Sequence, residues 1–366
     1  MANQLYTLVD AFRNLAPDVG DFVLATIIET QGSTYQKAGA RMLIAKDGDA
    51  QGLLSGGCFE SDLLERSRSV FASGQAMTVY YDMRSPDDVI WGLGLGCNGS
   101  VKIMLQLLKS DAHYYPLDAL AEAVEDDRRG VLITVIESEH EALPAGKSLF
   151  CGEDDFENVQ LPWRGELIAK ARQALSADKP SIETHLVEGN AVGVFYDPIR
   201  PLSQLLIVGA GADAIPLLQC ARALGWRVTI VDHRPAYIKP ERFPAAERLF
   251  CCLPQNLDEN LQLVRFDALV MMTHSFEYDA RYLKVVADSR IPFIGLLGPE
   301  ARKTRLLDSL GDKAAKIADR VFGPVGLDIG AETPGEIALS IMAGILAAQN
   351  RRYGGQLTPH KVSAHA

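Results

Sequence analysis

The chain has no apolar run of about 18 residues, the length that crosses a bilayer as a helix, so no integral membrane segment is expected. Its first residues, Met1-Ala2-Asn3-Gln4-Leu5-Tyr6, lack a basic stretch followed by an apolar core, so no secretory signal is expected and the protein reads as cytoplasmic. Positive charge is scarce: 36 Lys and Arg stand against 47 Asp and Glu, a net charge of -11. A nucleic-acid partner demands a basic face, so none is expected. The six cysteines, at 58, 97, 151, 220, 251 and 252, form no Cys-x-x-Cys, and no His-x-x-x-His occurs. That excludes a disulfide scaffold and a dedicated structural zinc site, and leaves reduced thiols.

What is present is an ordinary globular composition, 48% hydrophobic over 366 residues, long enough for two or three domains with real cores. Two glycine-rich loops each carry a cysteine. The first reads Leu54-Ser55-Gly56-Gly57-Cys58-Phe59-Glu60 and the second Gly92-Leu93-Gly94-Leu95-Gly96-Cys97-Asn98-Gly99. Glycine lets backbone approach a ligand and adopt positive φ. One such thiol reads equally well as a small apolar filler in a turn; two in one domain point to a ligand or sulfur site at Gly56, Gly57, Cys58, Gly96 and Cys97.

Periodicity and β-branched runs predict a helix over 1–15, strands at 22–30, 41–45, 77–82 and 100–108, and a helix over 62–73. Val23-Leu24-Ala25-Thr26-Ile27-Ile28-Glu29-Thr30 is echoed by Val131-Leu132-Ile133-Thr134-Val135-Ile136-Glu137-Ser138. Ala38–Leu43 is matched by Ala145–Phe150, and Ser100–Gln106 by Ala191–Asp197. The expectation is a mixed α/β domain over 1–200 built from half-repeats of about 20–110 and 130–200. The second half lacks both Gly-Cys loops, which makes it scaffold. Chance likeness between two hairpins is the alternative. Tyr196-Asp197-Pro198-Ile199-Arg200-Pro201 reads as a Pro-punctuated linker.

Residues 201–366 open with an apolar strand, 204–208, running into Gly209-Ala210-Gly211-Ala212-Asp213-Ala214 and a helix over 215–224. This is G-x-G-x-x-A in a strand–turn–helix setting. Asp232 ends the next strand 23 positions after Gly209, where a ribose-binding acid belongs. A Rossmann-type, doubly wound parallel sheet is expected, with Gly209, Gly211 and Asp232 as its nucleotide-reading residues. Asp213 would repel an anion unless it points away. His274 falls at the carboxyl edge of the strand 268–273, as a ligand-facing or a helix-capping residue; Cys251 and Cys252 read as buried, and the apolar helix over 336–348 as packed on its own sheet.

Together these segments resemble the XdhC/CoxI family of accessory proteins for xanthine dehydrogenase and related molybdenum hydroxylases. The resemblance rests on Gly32-Ser33-Thr34, Gly39-Ala40-Arg41-Met42, Ser55-Gly56-Gly57-Cys58, Gly94-Leu95-Gly96-Cys97, Val231-Asp232-His233-Arg234-Pro235, Phe243-Pro244-Ala245-Ala246 and Gly323–Pro334. It implies a chaperone that binds molybdenum cofactor, either plain molybdopterin or its cytosine-dinucleotide form. It further implies support of cofactor sulfuration with a cysteine desulfurase, delivery to a molybdenum hydroxylase apoenzyme, and a homodimer. On that reading Cys58 and Cys97 touch molybdenum transiently, as soft thiolates suit, a helix N-terminus beside Cys58 favours its thiolate, and Arg41 and Lys37 either neutralise a phosphate or, Lys37 above all, stand as surface charge. Three positions depart from the family pattern: Asn98, Ala212-Asp213 and Gly298-Pro299. The competing reading is an NAD(P)-dependent oxidoreductase working through the Rossmann domain, although no hydride-site dyad is visible; an insertion factor fits better than a turnover enzyme.

Overall fold

The computed structural model describes residues 2–57, 59–84, 99–158 and 164–358. The chain forms two compact units, residues 1–202 and 203–366. Among the described residues no helix is long and apolar enough to cross a membrane.

Unit 1 begins with α1 (Ala2–Val19), followed by β1 (Phe22–Gly32), β2 (Arg41–Ala45), β3 (Ala50–Gly52), α2 (Glu60–Ser73), β4 (Met77–Asp82) and β5 (Gly99–Leu108). After α3 (Leu117–Glu125) come β6 (Gly130–Ser138), β7 (Ser148–Gly152), α4 (Arg164–Ala177), β8 (Ser181–Val187) and β9 (Asn190–Ile199). One sheet has the order β3-β2-β1-β5-β4 and the other β7-β6-β9-β8. Removing the short β3 leaves the same order twice. The period-2 alternation of the strands sorts their side chains. Val23, Ala25, Ile27, Met42 and Ile103 pack with Leu63 and Val70 of α2. Val131, Ile133, Val135 and Val194 pack with Leu167 and Ala171 of α4. The opposite faces share cores, with Leu24, Leu43, Leu132 and Ile199 in one and Ile28, Met104, Ile136 and Phe195 in another. The result is a helix–sheet–sheet–helix stack with α1 and α3 along one side.

The repeat extends to backbone detail. Both long strands carry a register shift at the same point, between Ile27 and Glu29 and between Val135 and Glu137. Gly39 donates to the Ile27 carbonyl at 2.8 Å, and Gly146 to the Val135 carbonyl at 2.8 Å. These two glycines have φ of 93° and 92°, the left-handed region that a side chain resists. A polar pair between the sheets is repeated with different chemistry. Arg41 donates to the Gly39 carbonyl and to Asp197; Gln106 donates to the Gly146 carbonyl and to Ser148.

The expected linker at Tyr196–Pro201 is corrected here. Tyr196 to Ile199 are strand, paired with β6 from Ile133↔Tyr196 to Gly130↔Ile199. Pro198 is tolerated because β8 begins at Ser181, opposite Tyr196, which leaves that side of β9 unpaired from Asp197 onward.

Unit 2 contains β10 (Gln204–Val208), α5 (Ala214–Ala223), β11 (Arg227–Asp232), β12 (Arg248–Cys251), α6 (Leu257–Asn260), β13 (Ala268–Met271), α7 (Phe276–Val286), β14 (Ile294–Leu296), α8 (Glu300–Asp308), β15 (Val321–Phe322) and α9 (Pro334–Gln349). Its six strands are parallel in the order β12-β11-β10-β13-β14-β15. This is the doubly wound Rossmann order, with the switch point between β10 and β13. α7 covers one face of the sheet, while α5 and α9 cover the other, so the apolar α9 is spent on its own sheet.

Candidate functional site

The glycine loops can be placed by register. β1 ends at Gly32, opposite Gly99 at the start of β5, and Asp82 at the end of β4 lies opposite Ser100. β2 starts from Arg41, and β3 finishes at Gly52 opposite Met42. The connections at 33–40, 53–59 and 83–98 therefore all leave from one end of one sheet. Cys58, Gly96 and Cys97 lie outside the described residues. Gly56 and Gly57 are exposed, with open space where a Cβ would stand, and Gly57 has φ of 102°. This backbone is accessible, and at Gly57 it requires glycine.

The described flank of the first loop is bolted down. Ser55 donates its N–H to Glu60 at 2.7 Å and its hydroxyl to the same carboxylate. Phe59 stacks on Tyr81 with centroids 4.6 Å apart. Asp62 accepts from Tyr81 and Arg66, both at 2.6 Å. Burial and this carboxylate push the Tyr81 phenol well above its ordinary range. Burial works to raise the Asp62 carboxyl, but Arg66 and Tyr81 outweigh it and hold it below its usual value. α2 carries Glu60 and Asp62 in its first turn, where acidic side chains complement the helix dipole.

Arg41 does not stand at this open end as a free phosphate ligand. It is buried, its guanidinium 2.5 Å from the buried Asp197 carboxylate, with a second N–H on the Gly39 carbonyl. Lys37 remains exposed, donating to the Thr34 hydroxyl.

In unit 2 the expected ribose acid is also engaged. Asp232 is fully buried and accepts from the Ala210 N–H at 2.8 Å, the Arg234 N–H at 2.9 Å and the Arg234 guanidinium at 2.7 Å. Burial alone would raise its carboxyl; Arg234 and the two backbone donors outweigh that and hold it low. Gly209 has φ of 121°, and a Cβ there would stand 2.3 Å from the Met272 carbonyl oxygen. A Cβ on Gly211 would stand 2.4 Å from Asp213 Oδ1. Asp213 therefore points inward, and His274 Nε2 holds its other oxygen at 2.7 Å.

Sequence reasoning missed three further features. His233 stacks on Tyr278 with centroids 3.5 Å apart. Arg302 is paired at 2.8 Å with buried Asp279, which also accepts from Thr273 at 2.5 Å. Beside them Met272, His274, Leu297 and Gly298 complete a cavity of about 170 Å³ at the carboxyl edge, where such sheets bind ligands. Only the strand-end position of His274 signalled this place. Cys252 is buried as expected, but Cys251 at the end of β12 is exposed. Among the described residues no group of three His, Cys, Asp or Glu is arranged to hold a metal.

The "XdhC Rossmann domain" family model matches residues 205–345, and the "XdhC and CoxI family" model matches 18–82. A Bacillus subtilis (strain 168) protein, named there as a probable subunit of xanthine dehydrogenase, is 33% identical over 94% of this chain and 98% of its own. The molybdenum cofactor insertion chaperone PaoD of Escherichia coli (strain K12) is 22% identical over 89% of this chain and 83% of its own. A crystal structure described as a xanthine dehydrogenase from Bacillus halodurans superposes with a TM-score of 0.75, covering 98% of both chains at 27% identity. End-to-end likeness at this level, in both units, assigns the chain to the XdhC and CoxI family.

Proposed function

We propose that the chain is an accessory protein that takes molybdenum cofactor as cargo, supports its sulfuration, and delivers it to a xanthine dehydrogenase-type hydroxylase. The observation that supports this is that the connections 33–40, 53–59 and 83–98, two of them carrying a glycine–cysteine sequence, leave in the same direction from one sheet, whose repeat-mate makes the last of these connections in two residues, Glu188-Gly189. The names of the Bacillus subtilis and Escherichia coli relatives support the class of cargo and of acceptor, and the two thiols are what suggest sulfuration. Gly56, Gly57 and Gly96 give backbone access to the phosphorylated pterin, and Cys58 and Cys97 give soft contacts to molybdenum. Arg41, Gly209, Gly211 and Asp232 act as framework in this reading. The acceptor apoenzyme, a cysteine desulfurase and a second copy of the chain are its partners, in the cytoplasm. The oxidoreductase alternative is disfavoured, because Asp213 and Arg234 occupy the dinucleotide-reading parts of unit 2.

The test is co-purification from cells that make the cofactor, with oxidation of bound pterin to its fluorescent derivative, before and after phosphatase. Wild-type protein is expected to carry pterin. Folded Cys58→Ala and Cys97→Ala proteins should each retain about tenfold less, near 1.4 kcal/mol. Equal retention in both variants would remove the thiols from the site, and no pterin on wild type would remove the cargo.

A further inference from the structure

The second glycine of a dinucleotide fingerprint lacks a side chain so that a pyrophosphate can lie against its backbone. Here that space is filled from within. Asp213 Oδ1 lies 2.4 Å from the position of a Gly211 Cβ, at the N-terminus of α5, where a phosphate would otherwise bring the negative charge. The arrangement is clamped. His274 Nε2, on a largely exposed ring, donates at 2.7 Å to Asp213 Oδ2 from a backbone with φ of 59°, a conformation costing a non-glycine residue about 1–2 kcal/mol. Its neighbours hold it there: the Thr273 hydroxyl bonds Asp279, and Ser275 caps α7 through the Tyr278 N–H. Farther along the edge, Asp232 has its acceptor capacity taken by Ala210 and Arg234, and Arg234 lies 3.7 Å over the Tyr237 ring.

We propose that the Asp213–His274 pair is a latch that stands in for the pyrophosphate and determines the specificity of unit 2 by excluding dinucleotides. The glycine loop is then kept for close packing and for the latch itself. The cavity lined by His274 and Arg302 lies beside the latch. This inference stands apart from the cargo reading, which concerns the loops of unit 1.

The experiment titrates wild type, Asp213→Gly, Asp213→Asn and His274→Ala with NADH by fluorescence and with inorganic pyrophosphate by calorimetry, after circular dichroism shows each is folded. Wild type is expected to show no saturation below millimolar ligand. Asp213→Gly should bind both ligands at least about tenfold tighter, and Asp213→Asn, which removes the charge but keeps the bulk, should fall between. His274→Ala frees the Asp213 carboxylate from its clamp without removing it and should also fall between wild type and Asp213→Gly. Micromolar binding by wild type would overturn the proposal. So would a folded Asp213→Gly protein that binds no tighter, or tightening confined to His274→Ala.

Discussion

Replacing Arg41 with methionine is expected to cost unit 1 about 3–5 kcal/mol, the usual loss when one partner of a buried ion pair is removed. The pair joins β2 of the first half-repeat to β9 of the second, with both side chains 4% exposed or less. Methionine keeps most of the bulk but leaves the Asp197 carboxylate without its counter-charge. Burial already raises that carboxyl, and Arg41 works against the rise. Without Arg41 the rise is larger. The sign follows from linkage. A carboxyl with a raised folded pKa favours the fold below its unfolded value, about 4, and loses that contribution as pH climbs through the folded value. The deficit of Arg41→Met should therefore be largest at neutral pH and shrink near pH 4. Urea melts of both proteins at the two pH values measure it; an equal deficit at both would mean that Asp197 carries no charge in the fold.

Gly209→Ala is the second large effect. The added Cβ would meet the Met272 carbonyl oxygen at 2.3 Å and the Thr273 nitrogen at 2.8 Å, both backbone atoms that cannot step aside without moving β13 away from β10. Forcing that gap costs about 1–3 kcal/mol, and the φ of 121° adds roughly another 1–3 kcal/mol for a residue with a side chain. Hydrogen exchange resolved by segment should show unit 2 opening more readily while unit 1 keeps its protection. An unchanged profile would contradict the packing role. The first glycine of the fingerprint is thereby explained without any ligand.

Much of this architecture was legible in the residues. Arg41–Ala45, Met77–Asp82 and Gln204–Val208 are strands with the expected limits, because their apolar runs are bounded by turn residues on both sides. The echo between 23–30 and 131–138 is a structural repeat, since the same bulge, turn and inter-sheet polar pair recur. Asp197 was misread because Pro198 and Pro201 outweighed the alternation of β9. Its partner lies 156 positions away, and no local pattern announces it. The half-repeat alignment held a clue, for it sets Arg41 against Ser148 and Asp197 against Gln106, a polar pair at the same point in both halves. Asp213 was legible as an oddity in the glycine loop. Its direction depends on His274, 61 positions on, and so belongs to tertiary structure. Cys58, Gly96 and Cys97 lie outside the described residues, so at those positions the reading rests on sequence.

The turn between β8 and β9 has φ of 52° at Glu188 and 85° at Gly189, the positive pair that a type I′ hairpin needs. At the equivalent point of the other half, the same framework accommodates the whole excursion from Asp82 to Gly99. The duplicated scaffold thus contains its own demonstration that this corner accepts added chain. Between Glu188 and Gly189 a fluorescent or affinity reporter can be grafted where loop closure costs little, on the half that carries no glycine–cysteine loop.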